Sequence, residues 1–210
     1  MVAMLSKPKK MPGDSFNISA FGCVTGQKLA KIKGSVCFDC YAMKGAYPWP
    51  VVQNAMQARL DFLNSANFAV DISRQGIFGH SMGGHGALVM ALRNPERFRS
   101  CSAFAPIVNP MTADWSATAF GKYLGGDMAG WRKYDAVALI EDGHKISDLL
   151  VDQGDADNFL ESGLRPWLLE AACQNAGINL TLRMQKGFDH SYFFISTFMD
   201  DHLRWHASRL

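Results

Sequence analysis

Apolar residues in this chain alternate between short unbroken runs and longer stretches that recur every three or four positions. Val52, Ala55, Met56, Leu60 and Leu63 fall on one face of a 3.6-residue repeat, which predicts a helix over 51–63. Phe68-Ala69-Val70-Asp71 then leads through a polar turn to Gly76-Ile77-Phe78, an apolar run of strand type. A helical pattern from Gly83 to Leu92 stops at Asn94-Pro95, since proline disfavours helical backbone in the residue before it. Cys101–Ala105 predicts the next buried strand, 106–146 loop and short helix, and Asp148–Asp152 a strand that ends at a glycine turn. Pro166–Gln174 reads as a helix with its proline in the first turn, where the missing N–H has no partner to lose. The chain closes with an alternating strand over 179–185 and an amphipathic helix over 191–207. Strands alternating with helices predict an α/β fold, a mostly parallel sheet flanked by helices.

Residues 1–49 do not follow this alternation. Lys7-Pro8, Met11-Pro12-Gly13, Gly22, Gly26, Gly34, Gly45 and Pro48-Trp49-Pro50 interrupt every potential element. Only short strand-like fragments are left, at Ser15–Ala20 and Ser35–Phe38. Charge divides the chain in a similar way. Lys7, Lys9, Lys10, Lys28, Lys31, Lys33, Lys44 and Arg59 face only Asp14, Asp39 and Asp61 in the first 62 residues, and the remainder is mildly acidic.

Composition narrows the functional class. With 48% apolar and 19% charged residues the chain has an ordinary globular profile, and 210 residues suit one substantial core. A net charge of +2 gives no reason to expect nucleic acid or an acidic membrane as partner. No apolar run is long enough to span a bilayer, and lysines arrive too early for a secretion signal. Five cysteines, an odd number, then predict reduced thiols and a cytoplasmic location. Cys23, Cys37 and Cys40 supply only three thiols with no histidine before His80, one ligand short of a structural zinc site. Nor does a helix follow Cys37-Phe38-Asp39-Cys40, as a redox pair requires. These are expected to be packing cysteines, and no cofactor or metal is expected.

The chemistry centres on Gly79-His80-Ser81-Met82-Gly83, set between a strand and a helix. A serine on such a strand-turn-helix junction stands above the sheet edge, near the positive end of the helix. The turn is so tight that small residues are expected at both Gly79 and Gly83. An acyl-transfer serine needs a base, and the base needs a carboxylate to orient it. His190 follows the last strand in Gly187-Phe188-Asp189-His190-Ser191, and the preceding strand ends in a loop with Asp152, Asp155 and Asp157. Both loops lie at the carboxyl ends of strands, where open α/β sheets bind ligands. Residue patterns leave the three aspartates open. His80 and His85 are expected to pack or bond locally, and His144, His202 and His206 read as surface or helix residues.

From about residue 63 onward the chain resembles the S-formylglutathione hydrolase, or esterase D, family of α/β-hydrolases. The resemblance rests on Asn67-Phe68, on 77–88 (IFGHSMGGHGAL), on 102–107 (SAFAPI), and on Tyr123-Leu124-Gly125. It continues through Tyr134-Asp135-Ala136, Asp152-Gln153-Gly154, Phe159-Leu160 and His190-Ser191-Tyr192. It implies Ser81 as nucleophile, Asp157 as acid, His190 as base, the Met82 amide in the oxyanion hole and Trp115 near the acyl pocket. It further implies hydrolysis of small acyl esters or thioesters through an acyl-enzyme, the family's substrate being S-formylglutathione.

Residues 1–62 do not match the family, which carries further strands and a glycine-containing oxyanion loop upstream. The expected organisation is therefore an atypical segment over 1–62 and a truncated α/β-hydrolase, the catalytic portion, over 63–210. A truncated parallel sheet exposes an edge, so a homo-oligomer is expected to cover it. The alternative function is a chimeric or decayed hydrolase fragment with impaired catalysis, acting as a binding or assembly module.

Overall fold

The computed structural model describes residues 24–33, 38, 49–63, 74–113 and 116–210. By its contacts the chain divides into two compact units, Met1–Val70 and Asp71–Leu210. The first unit contains helices α1 (Val24–Leu29) and α2 (Pro50–Leu63), the latter being the helix that the 51–63 spacing predicts. Phe38 sits in a turn. The rest of the two strand-like fragments, together with Cys23, Cys37, Cys40, Phe68–Asp71 and Trp115, lie outside the described residues.

The second unit follows the predicted alternation. Strand β1 (Gly76–His80) feeds α3 (Met82–Arg93), and β2 (Ser100–Phe104) follows. A 3-10 turn at Pro110–Thr112 precedes α4 (Ser116–Leu124), α5 (Met128–Trp131), a second 3-10 turn at Arg132–Tyr134 and α6 (Ala136–Glu141). Strand β3 (Asp148–Gly154) leads through a π-helical turn at Leu160–Leu164 into α7 (Pro166–Ala176). Then come β4 (Asn179–Gln185) and α8 (Tyr192–Ala207).

The four strands are parallel and stand in chain order, β1-β2-β3-β4. Ile77, Cys101, Leu149 and Leu180 form one row across the sheet. Successive side chains in a strand point to opposite faces, so every second position belongs to one core. Cys101, Ala103, Leu149 and Val151 pack with Leu88 and Leu92 of α3, Leu139 of α6 and Leu169 of α7. Right-handed crossovers place these three connecting helices on one face. The opposite face is covered by α8, where Phe104, Leu164, Phe194 and Ile195 make a smaller cluster.

That second face is unusually polar. Ser100, Ser102 and Asp152 are buried there, and so are His202 and His206 of α8. The two histidines thus lie on a helix, as the sequence indicates, but the surface reading is wrong for both: neither is on the outside. A period count treats histidine as polar and places it outward. It cannot register that serines at alternate positions of β2 supply partners within.

Among the described residues β1 pairs only with β2 and forms an edge. Its Phe78 is 45% exposed, whereas all five residues of β2 are buried. No helix among the described residues is long and apolar enough to cross a membrane.

Candidate active site

Ser81 occupies the junction between β1 and α3 with φ 56° and ψ −117°, a backbone conformation that L side chains rarely adopt. Hydrogen bonds hold it there: its N–H donates to the Phe104 carbonyl at 2.9 Å, and its carbonyl accepts from the His85 N–H at 2.9 Å. Strain of this sort persists only where the surroundings over-determine it. The glycines contribute unequally. A Cβ on Gly79 would overlap the Gly83 carbonyl, and one on Gly84 would come within 3.0 Å of Pro106. A Cβ on Gly83 meets nothing within 4 Å among the described residues. The steric need expected at Gly83 therefore falls on Gly84, because it is the backbone of Gly83, not its Cα hydrogen, that faces Gly79.

His190 lies just before α8, and its Nδ1 is 2.6 Å from Asp157 Oδ2. The second Asp157 oxygen accepts the Phe159 N–H at 2.9 Å, and Gln153 Nε2 reaches the first at 3.3 Å. The Asp157 side chain is fully buried, while that of His190 is 21% exposed. A buried carboxylate with an accessible imidazole is the arrangement expected of an acid that orients a base. The loops meet because Gly154 has no side chain: a Cβ there would overlap the Phe188 carbonyl.

The other two aspartates have different work. Asp152 accepts from Arg183 Nε and Nη2 at 2.6 Å each, from Gln185 at 3.1 Å, and lies 3.1 Å from His202 Nε2. Burial pushes its carboxyl up, but the hydrogen bonds from His202, Arg183 and Gln185 bring it below its ordinary value. Asp155 is exposed and accepts the Gly187 N–H at 2.6 Å, pinning the loop that leads to His190.

Ring contacts flank the imidazole of His190. Phe159 meets it edge-on at 5.1 Å between centroids, and His80 lies tilted at 4.5 Å. Burial, reinforced by the nearby His190, pulls His80 down to about 4 against the opposing pull of Asp157. His80 is therefore neutral around pH 7, with its buried Nε2 unpartnered among the described residues. His85 bonds the Tyr134 carbonyl at 2.6 Å, and His144 the Leu92 carbonyl at 3.1 Å, so neither is part of the site.

A cavity of about 290 Å³ opens between the serine and the imidazole, lined by Ser81, Ile107, Phe159, Ser162, Gly163, Leu164 and His190. The π-helical turn forms one wall. Sequence patterns did not indicate that wall, since it depends on Arg165, which holds a left-handed conformation (φ 45°) without being glycine. Its guanidinium donates to the Asn109 carbonyl at 2.9 Å and to Thr112 Oγ1 at 2.8 Å, tying the wall to the loop after β2. Met82 opens α3, so its amide is among those left without an intrahelical acceptor. Among the described residues no cluster of His, Cys, Asp or Glu could hold a metal ion.

Comparison with known proteins gives the family. A model of the esterase family, described as "Putative esterase", matches residues 45–205. The chain belongs to that family. Its match begins ahead of residue 63, where the residue resemblance starts, and so includes α2. The chain is 48% identical over 169 residues to S-formylglutathione hydrolase of Mus musculus, covering 78% of this chain and 60% of that one. It is 50% identical over 144 residues to the S-formylglutathione hydrolase of Paracoccus denitrificans, covering 69% and 51%. A solved S-formylglutathione hydrolase from Agrobacterium tumefaciens is 59% identical, with a TM-score of 0.68 over 77% of this chain and 60% of that one. The chain thus spans between half and three-fifths of the length of the relatives it matches.

Proposed function

We propose that this chain is a serine hydrolase that cleaves small acyl esters or thioesters through Ser81, His190 and Asp157. The observation that carries the reading is the 2.6 Å contact between His190 Nδ1 and a buried Asp157, with Ser81 and His190 lining one cavity. When Nδ1–H donates to Asp157, the neutral imidazole leaves Nε2 free to take the serine proton. Ser81 Oγ then attacks the acyl carbonyl, and the Met82 N–H stabilises the oxyanion as charge develops. The imidazolium returns its proton to the leaving alcohol or thiol. Water, deprotonated by His190, releases the acid and regenerates the serine. The names of the relatives support a glutathione thioester as substrate. Trp115 is assigned to the acyl side on the family resemblance alone.

The test is turnover of p-nitrophenyl acetate by wild type and Ser81→Ala. A fall of at least ~10³-fold is expected, since loss of the nucleophile leaves only binding and oxyanion effects. Equal rates would refute the assignment. Stoichiometric labelling of Ser81 by a fluorophosphonate separates an active esterase from a decayed one used only for binding.

Two further parts belong to the same reading. The division into an atypical segment over 1–62, of which the family match takes in 45–62, and a catalytic portion over 63–210 is part of the proposal, with free, buried Cys101 and Cys173 supporting a reducing cytoplasmic setting. The edge of β1, unshared among the described residues, and its exposed Phe78 support a homo-oligomer. Light scattering that gives a monomer at micromolar concentration would remove that part.

A further inference from the structure

Behind the site, on the face of the sheet covered by α8, five buried side chains form one continuous hydrogen-bonded line. Ser100 Oγ lies 2.6 Å from His206 Nδ1, and His206 Nε2 lies 2.8 Å from Ser102 Oγ. Ser102 Oγ lies 2.8 Å from His202 Nδ1, and His202 Nε2 lies 3.1 Å from Asp152 Oδ2. Ser100, Ser102, Asp152, His202 and His206 are all buried, three of them completely. The proposed catalytic step uses none of them.

A single assignment of protons satisfies the whole line. With both rings neutral and carrying hydrogen on Nε2, the Ser100 hydroxyl donates to His206 and His206 donates to Ser102. Ser102 then donates to His202, which donates to Asp152. Asp152 closes the line as an acceptor, fixed from its other side by Arg183, which also reaches Asp201 of α8 at 3.0 Å. Beneath it, the His202 ring stacks on Phe104 with centroids 3.8 Å apart. Every member is thus bound to both the sheet and the helix, or to a neighbour that is.

The consequence lies at the other end of α8. His190 stands two residues before the helix begins, so the height and rotation of α8 on the sheet set where the imidazole can point. Apolar contacts alone tolerate sliding by a fraction of a turn, whereas directional bonds between alternate strand serines and i, i+4 histidines permit one register. We propose that the Ser100–His206–Ser102–His202–Asp152 line is a positioning device that locks α8 and thereby holds His190 against Asp157. Ser102 is its central positioning residue, because its hydroxyl both accepts from one histidine and donates to the other. The proposal rests on the hydrolase reading for its kinetic consequence, but not for its structural one.

The experiment compares wild type, Ser102→Ala and Ser102→Thr with p-nitrophenyl acetate, folding being checked by circular dichroism. Ser102→Ala is expected to lower kcat by about ten- to a hundredfold with KM within about twofold, since a small misplacement of a reacting group carries that cost. Ser102→Thr, which keeps the hydroxyl, is expected to restore most of the rate. A folded Ser102→Ala enzyme with wild-type kcat, or a threonine variant as slow as the alanine, would overturn the proposal. If Ser102→Ala does not fold, Ser100→Ala removes only the outermost donor, and a wild-type kcat there has the same force. The low-field proton resonance of the His190–Asp157 pair gives a readout independent of turnover. It is expected in wild type and broadened or lost in the alanine variant. If wild type proves inert, the hydrolase reading fails, while an unchanged resonance in Ser102→Ala would defeat the positioning claim separately.

Discussion

Gly79 and Gly83 bracket Ser81 symmetrically in the sequence, but the demands on them differ. At Gly79 a methyl group would run into the Gly83 carbonyl, and backbone cannot yield as the tip of a side chain can. Gly79→Ala is expected to lose about 1–3 kcal/mol, in the range of an overpacked core position. Gly83 is exposed within the first turn of α3 and has open space about its Cα among the described residues. Gly83→Ala is expected to be neutral or to gain up to ~1 kcal/mol, because glycine loses more freedom than alanine on entering a helix. Urea denaturation of the two variants checks the pair, and equal losses at both positions would contradict the steric argument. The same scale explains why the three aspartates could not be separated by spacing. Asp152 falls on the face that meets Arg183, Asp155 beyond the strand end faces Gly187, and only Asp157 is returned toward His190. Nothing in the local sequence encodes those partners, and the family resemblance alone singled out Asp157.

At the scale of elements, periodicity was enough for most of the second unit. The runs at 76–78, 101–105 and 148–152 are short, apolar and bounded by turn residues, and each matches a buried or edge strand within about two residues. α7 begins at the very proline that marks it and ends at Gly177, whose φ of 70° suits a helix terminus. The stretch from 106 to 146 was legible only as loop and short helix, since the carboxylate that caps α6 is itself held by distant partners. Asp135, buried, accepts the Ala138 N–H at 2.9 Å to start α6, and it also binds the Met111 N–H and the Asn109 amide at about the same distance. Such a carboxylate is read as an ordinary turn residue until its partners 24 and 26 positions away are known. The π-helical turn was missed for a similar reason. It needs Arg165 in a left-handed conformation, and the sequence gives no glycine or asparagine there to announce it.

For the whole molecule, the buried imidazoles make stability depend on pH. Burial pulls His206 down to about 4, with His202 and Arg209 pushing the same way, and His80 falls to a similar value. Both values lie below the ordinary 6.5 of an imidazole in the unfolded chain, so the fold prefers the neutral form and the unfolded chain binds protons first. The stability contributed by neutral burial is therefore complete above about pH 6.5 and is lost as pH falls from there toward 4. For His206, whose ring is almost wholly enclosed, the loss approaches ~3 kcal/mol at the lower end. That is a large share of the ~5–15 kcal/mol by which domains are ordinarily stable. Asp152 acts in the same sense further down: its carboxyl is held below its ordinary value, so its contribution disappears only as it is protonated at still lower pH. Urea midpoints measured between pH 8 and 4 should be level at first and then fall below about pH 6.5. His206→Gln should be less stable than wild type at pH 7, because Ser100 loses its partner and Ser102 one of its two, yet its midpoint should fall less steeply. A variant as steep as wild type would mean that protonation of some other group governs the acid limb. The first such group to examine is His80, whose ring centroid lies 4.5 Å from that of His190.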